Sequence, residues 1–151
     1  MKSGSVFSPP VFLPDAPAYG NAVLEERDYV MRAVKQLADF VARILKLALT
    51  DPRAARDQLE AACRETLHMD LSTLSLVDAR SAAELLMRAD KVVFFASVIE
   101  ALGELDLLEG ATHRARGRFL HALELAHEAV TLDPKSSDAL GLIARLRARV
   151  E

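Results

Sequence analysis

The stretch Ala96–Ala129, ASVIEALGELDLLEGATHRARGRFLHALELAHEA, decides the fold. Leu102 and Gly103 are adjacent, Gly110 comes seven residues after Gly103, and Ala115, Phe119 and Ala122 follow at spacings of four and three. Ala115, Phe119, Ala122, Leu123, Ala126, Ala129 and Val130 share one side of a helix, while Arg114, Arg118, Glu124 and Glu128 fall mostly elsewhere. One face is core and the other meets water. The alanines allow two helix axes to approach closely, and Gly110 supplies the backbone freedom that ends the first helix and turns the chain. The stretch therefore predicts two antiparallel helices.

These residues resemble a tetratricopeptide repeat, a helix-turn-helix unit of about 34 residues. Three positions depart from the pattern: Ile99 stands where the repeat carries Trp, Asp106 where it carries Tyr, and the closing proline is delayed to Pro134. The second helix should thus overrun the usual length by about two turns and stop near Leu132.

Working outward, a first helix is predicted from about Glu25 to Leu49, with Val30, Val34, Leu37, Val41, Ile44, Leu45 and Ala48 inward. Asp51-Pro52 reads as an N-cap with proline at the first helical position, opening a helix to about His68 that carries Ala55, Leu59 and Ala62. That spacing repeats the pattern of Ala115, Phe119 and Ala122, so the first hairpin (residues 25–68) looks like a degenerate copy of the later one (90–132). The copies lie 60 residues apart. Between them come a polar turn at Met69-Asp70 and connector helices at Leu71–Leu74 and Asp78–Arg88, within 71–88. A last helix, Ser137–Val150, caps the second hairpin. The fold class is all-α, a bundle of tetratricopeptide-repeat-like antiparallel hairpins over residues 24–151.

Residues 1–23 stand apart as an extended arm, because Pro9, Pro10, Pro14 and Pro17 forbid helix there. Phe7, Phe12, Leu13 and Tyr19 nevertheless give it apolar anchors. The arm is either a passive tail or a segment that docks on its own domain or on a neighbour, with Phe12 and Tyr19 as contact residues. The segment Arg27-Asp28-Tyr29-Val30-Met31-Arg32 also resembles the opening of a family of bacterial helical proteins of unknown function. That resemblance implies a long first helix and a closing hairpin, and no activity.

Composition fits one domain. A chain of 151 residues buries roughly 68–70% of its unfolded surface. A net charge of −3 with interspersed signs argues against a nucleic-acid platform. The single cysteine, Cys63, forbids an intramolecular disulfide and fits a reducing compartment. The longest apolar run, Val92–Ile99 interrupted by Ser97, is too short to span a bilayer, and no apolar leader follows Lys2. A cytoplasmic location is expected.

Candidate chemistry is sparse. Two Glu-x-x-His pairs, Glu65/His68 and Glu124/His127, fit the grammar of carboxylate-bridged metal bundles, and a metal-binding bundle or enzyme is the alternative reading. Their helical phase points them away from the apolar faces, and only Asp39 offers a carboxylate in the interior of the first helix. Cys63 adjoins Leu59, Ala62 and Thr66 and reads as a small core residue. There is no nucleophile elbow and no glycine-rich phosphate loop. No catalytic residue, cofactor or metal ligand is assigned.

Charge says more. Asp90, Glu100, Glu104, Asp106 and Glu109 face one base, Lys91, on the helix before Gly110, whereas the next helix opens with His113, Arg114, Arg116 and Arg118. Bases in a first turn oppose the helix dipole. Either Asp106 and Glu109 neutralise those arginines across the turn, or an anion or acidic partner does. The repeat resemblance implies a concave face lined by Ser97, Glu100, Glu104, Leu107 and Leu108, suited to a basic or amphipathic peptide. Finally, Val92, Val93, Phe94, Phe95, Val98 and Ile99 make one helix apolar around most of its circumference. It is either the central helix or one side of a homodimer interface. The function expected is a non-catalytic module that binds a protein partner or itself, with Arg114 and Arg118 as further contact residues.

Overall fold

The computed structural model describes residues 22–151, with side chains from Glu26 onward. Apart from its last two residues, the predicted arm, with Phe12 and Tyr19, lies outside the described residues. Seven helices make up the described chain: α1 (Ala22–Ala48), α2 (Pro52–Leu67), α3 (Leu71–Ser75), α4 (Ala79–Leu86), α5 (Ala89–Leu108), α6 (Thr112–Leu132) and α7 (Ser137–Val150). No strand occurs among the described residues. No helix there is long and apolar enough to cross a membrane.

Local chemistry sets the boundaries. Asp51 Oδ1 accepts from the Ala54 amide at 3.1 Å with Pro52 at the first position of α2, and Asp78 Oδ1 accepts from the Ser81 amide at 2.7 Å to open α4. Ser136 Oγ caps α7 by accepting from the Ala139 amide at 3.1 Å. Gly110, at φ +79°, turns the chain between α5 and α6 as its position predicts. Met87 adopts φ 71° and donates its amide to the Ala83 carbonyl, so α4 ends at Leu86, two residues short of the expected Arg88.

The core draws on all seven helices, and α5 lies at its centre. Every residue from Val92 to Ile99 is buried, and α5 packs against α1, α2, α4, α6 and α7. The apolar circumference of this helix is therefore covered within one chain, without a second copy. Its closest neighbour is α6. A Cβ on Gly103 would sit 2.7 Å from Phe119 Cε1, so the glycine is the notch into which the Phe119 ring fits.

Helix α1 departs from its expected face. Val30, Leu37, Ile44 and Ala48 are buried as predicted, but Ala33 and Phe40 complete that stripe, while Val34, Val41 and Leu45 are only half-buried. The apolar surface of α1 is wider than the face its neighbours cover. On α6, Ala115, Phe119, Ala122, Ala126 and Ala129 are buried as expected and Leu125 joins them, with Leu123 and Val130 half-buried.

The two glycines Gly103 and Gly117 should respond oppositely to alanine. The Phe119 ring is buried and a Cβ at 2.7 Å forces it or its helix to shift, so Gly103→Ala should lose about 1–2 kcal/mol despite its better helix propensity. Nothing lies within 4 Å of a Cβ on Gly117, and Gly117→Ala should gain up to about 1 kcal/mol. Urea unfolding of both variants checks the pair, and equal signs would refute the notch.

Candidate functional site

Helices α1 and α7 both pack on α5, and a groove of about 650 Å³ runs between them. From α1 come Val34, Val41 and Leu45, from α5 Val93, Ser97, Glu100 and Glu104, and from α7 Leu142, Arg145 and Arg149. The half-buried strip of α1 is thus one wall. A second recess of about 560 Å³ shares Val34, Lys35, Val93 and Asp138 with the first and extends it past Met31, Met87 and Leu132. Those three side chains are 42%, 75% and 46% exposed. Methionine is unbranched and adapts to varied apolar shapes, so this end can accommodate more than one contour.

Of the concave face expected on α5, Ser97, Glu100 and Glu104 line the groove, whereas Leu107 and Leu108 are exposed and lie outside its lining. The two carboxylates already have basic partners within the chain. Arg145 donates from Nε and Nη2 to the two Glu100 oxygens at 2.9 Å each. Arg149 meets Glu104 at 2.7 and 2.9 Å, and its guanidinium also lies 4.6 Å over the Phe119 ring. The acidic row that pointed to a basic partner is occupied by α7. Around the first recess, Lys35, Arg145 and Arg149 balance Glu100, Glu104 and Asp138, so what the groove offers a ligand is mainly apolar surface.

Behind the groove, α5 ends in an ion cluster. The Asp106 side chain is fully buried, its Oδ1 accepts from Arg56 Nη2 at 2.9 Å and Arg114 Nε at 3.1 Å, and its Oδ2 accepts from Arg118 Nε at 3.3 Å. Glu109 Oε1 adds contacts to Arg56 at 2.9 Å and Arg114 at 3.5 Å. The pairing across the turn expected for Asp106, Glu109, Arg114 and Arg118 is what occurs, and it leaves Arg114 and Arg118 engaged. Arg116 does something else, donating to the Val150 carbonyl at 2.7 Å. Arg56, fifty residues from Asp106, was not expected there. No local spacing announces it; its only signal is its place beside Ala55 on the buried side of α2. Burial pushes the Asp106 carboxyl up, but hydrogen bonds from Arg56 and Arg114 and the charge and hydrogen bond of Arg118 outweigh it, holding the group below the ordinary carboxylate range.

The Glu-x-x-His pairs sit on separate helices, α2 and α6, with His68 exposed beyond the end of α2 and Glu124 and His127 exposed on α6. Asp39 is exposed on α1. Among the described residues no group of three or more His, Cys, Asp and Glu could hold a metal ion. Cys63 is fully buried, and burial first, with the Asp70 charge, pushes its thiol up to about 12. It keeps its proton at neutral pH and is a poor nucleophile.

Asp106→Asn should lose about 2–3 kcal/mol at pH 7. Breaking a fully buried ion pair from one side costs about 3–5 kcal/mol, and the Arg56, Arg118 and Arg114 side chains, 27%, 28% and 58% exposed, recover part of that from water. Because the folded state holds the Asp106 carboxyl below its unfolded value, its stabilisation is complete above about pH 4 and disappears as pH falls through the lowered folded value. The asparagine variant should therefore lose less stability than the parent on acidification below about pH 4. Urea titrations at pH 7 and across the acid range measure both effects, and a loss under about 0.5 kcal/mol at pH 7 would show the cluster to be stabilising little.

No protein-family model, curated protein or solved structure matches the chain, and the groove and the ion cluster carry the functional reading between them.

Proposed function

We propose that the protein is a non-catalytic helical interaction module that receives an apolar peptide segment in the groove between α1, α5 and α7. The observation that carries this reading is the strip Val34, Val41 and Leu45, left half-buried facing the groove and continued by Met31, Met87 and Leu132. Apolar side chains gathered along one groove, rather than scattered singly over the surface, support an interaction surface. The α5–α6 pair, with Gly103 against Phe119, supports a tetratricopeptide-repeat-like unit whose face is bordered by α7. The prominent reactive candidates are committed elsewhere: Asp106 to three arginines and Cys63 to the core.

The balanced charges of the groove favour a ligand chosen by shape and apolar anchors over a basic peptide. Burying one aromatic or aliphatic anchor gains about 1.5–3 kcal/mol, from which the cost of ordering the peptide is subtracted. Two such anchors, about 3–6 kcal/mol before that cost, give binding of tens of micromolar at best. Peptides selected from a random display library, on the parent chain and on a Phe12→Ala/Tyr19→Ala chain, should be rich in aromatic and aliphatic residues. Val41→Glu should weaken them at least tenfold, because it places a charge on the apolar wall, whereas Leu108→Glu, outside the groove, should not. Failure to select binders on either chain, or binding indifferent to Val41→Glu, would refute the reading.

A further inference from the structure

We propose that the resident occupant of this groove is the chain's own segment Phe7–Tyr19, returned along α1 in the antiparallel direction. The inference rests on the groove being a peptide site. Its first support is position. The segment joins α1 at Ala22, and the nearer recess is lined by Arg27 and Met31, within the first three turns of that helix. Gly20 and Asn21 stand immediately before α1, and both residue types suit the reversal that an antiparallel return requires.

Spacing agrees. An extended proline-rich chain advances about 3.1 Å per residue, so Tyr19 and Phe12 can sit about 22 Å apart. A reversal at Gly20-Asn21 leaves Tyr19 within about 7 Å of Ala22, level with Arg27, and from Arg27 to Val41 along α1 is about 21 Å at 1.5 Å per residue. Tyr19 beside Arg27 and Met31 therefore places Phe12 beside Val41 and Leu142.

Chemistry supplies the third support. The groove is walled by helices, whose mid-helix amides are used internally and offer little to an added backbone. Pro9, Pro10, Pro14 and Pro17 have no amide hydrogen to satisfy, and a polyproline-type segment makes no internal hydrogen bonds to break. Asp15 is the one charged side chain of Phe7–Tyr19, so the segment meets the mainly apolar groove with a mostly uncharged surface.

The test uses the full chain. Methyl NMR spectra of the parent and of Phe12→Ala/Tyr19→Ala should differ at Val34, Val41, Leu45 and Leu142 and agree at Leu59 and Leu125 in the distant core. Reciprocally, Val41→Glu should shift the Phe12 and Tyr19 ring resonances. A segment tethered at millimolar effective concentration, with an intrinsic dissociation constant near 0.1 mM, weakens a competing peptide by about tenfold. The Phe12→Ala/Tyr19→Ala chain should accordingly bind a library-selected peptide about tenfold tighter than the parent does. Unchanged groove methyls with equal affinity for the peptide would overturn the internal occupant while leaving the groove a peptide site. If the double variant binds no selected peptide at all, both readings fail. Groove shifts that fade on dilution together with a halving of mass would assign the segment to a second copy and overturn the intramolecular proposal.

Discussion

The whole architecture answers to the enclosure of α5. A helix of 20 residues is about 30 Å long, and this one is apolar on all sides over Val92–Ile99, so no single partner helix can cover it. α1, α2, α4, α6 and α7 surround it. Helices about 10 Å wide close such a ring only where small residues bring axes together, as Gly103 does under Phe119. On the α1–α7 side no such notch occurs, and there the groove stays open over Val93 and Ser97.

The far end of α5 poses a different problem. Asp106 and Glu109 lie at the negative end of the α5 dipole, and Arg114 lies in the first turn of α6, at a positive end. Each set is unfavourable where it stands. Bringing them together across Gly110 offsets both costs at once, and the same contact closes the hairpin. Arg56 then ties α2 to that turn through the buried carboxylate, so one ion cluster fixes three helices. Asp106 is a buried charge that must be neutralised from three sides.

What could be read from the sequence follows from the range of the interactions concerned. The cap at Asp51, the turn at Gly110 and the end of α6 at Leu132 depend on residues a few positions apart, and all three appear where expected. The choice between Phe40 and Val41 as the inward residue of α1 does not. Both stripes are apolar at helical spacing, and only the placement of α2 and α5 decides which is buried. The groove was hidden in that ambiguity, because it consists of the stripe that lost. Glu100 and Glu104 were singled out on α5 as an acidic row for a basic partner, but the arginines that pair with them, Arg145 and Arg149, lie 45 residues on, beyond any local rule. Arg56 was missed for the same reason.

The position of α7 links stability to recognition. Glu100 and Glu104 lie one turn apart on α5, and Arg145 and Arg149 stand at the matching interval on α7, so the two pairs act as a ladder that sets the register of one helix on the other. Exposed pairs contribute modestly, about 0.2–1 kcal/mol each, and most of the holding force comes from Ala139, Leu142, Ile143 and Leu146 buried at the α7 interface. The ladder's larger effect is on position. It anchors α7 beside α5, with Arg149 stacked over Phe119, and so keeps α7 from sliding toward α1 to cover Val34 and Val41. A helix held by apolar contact alone would gain by closing that gap, since burying apolar area is favourable wherever it can be reached. The charged pairs oppose that slide, and they neutralise the acids that would otherwise select a basic ligand, so that the apolar walls dominate what the groove presents.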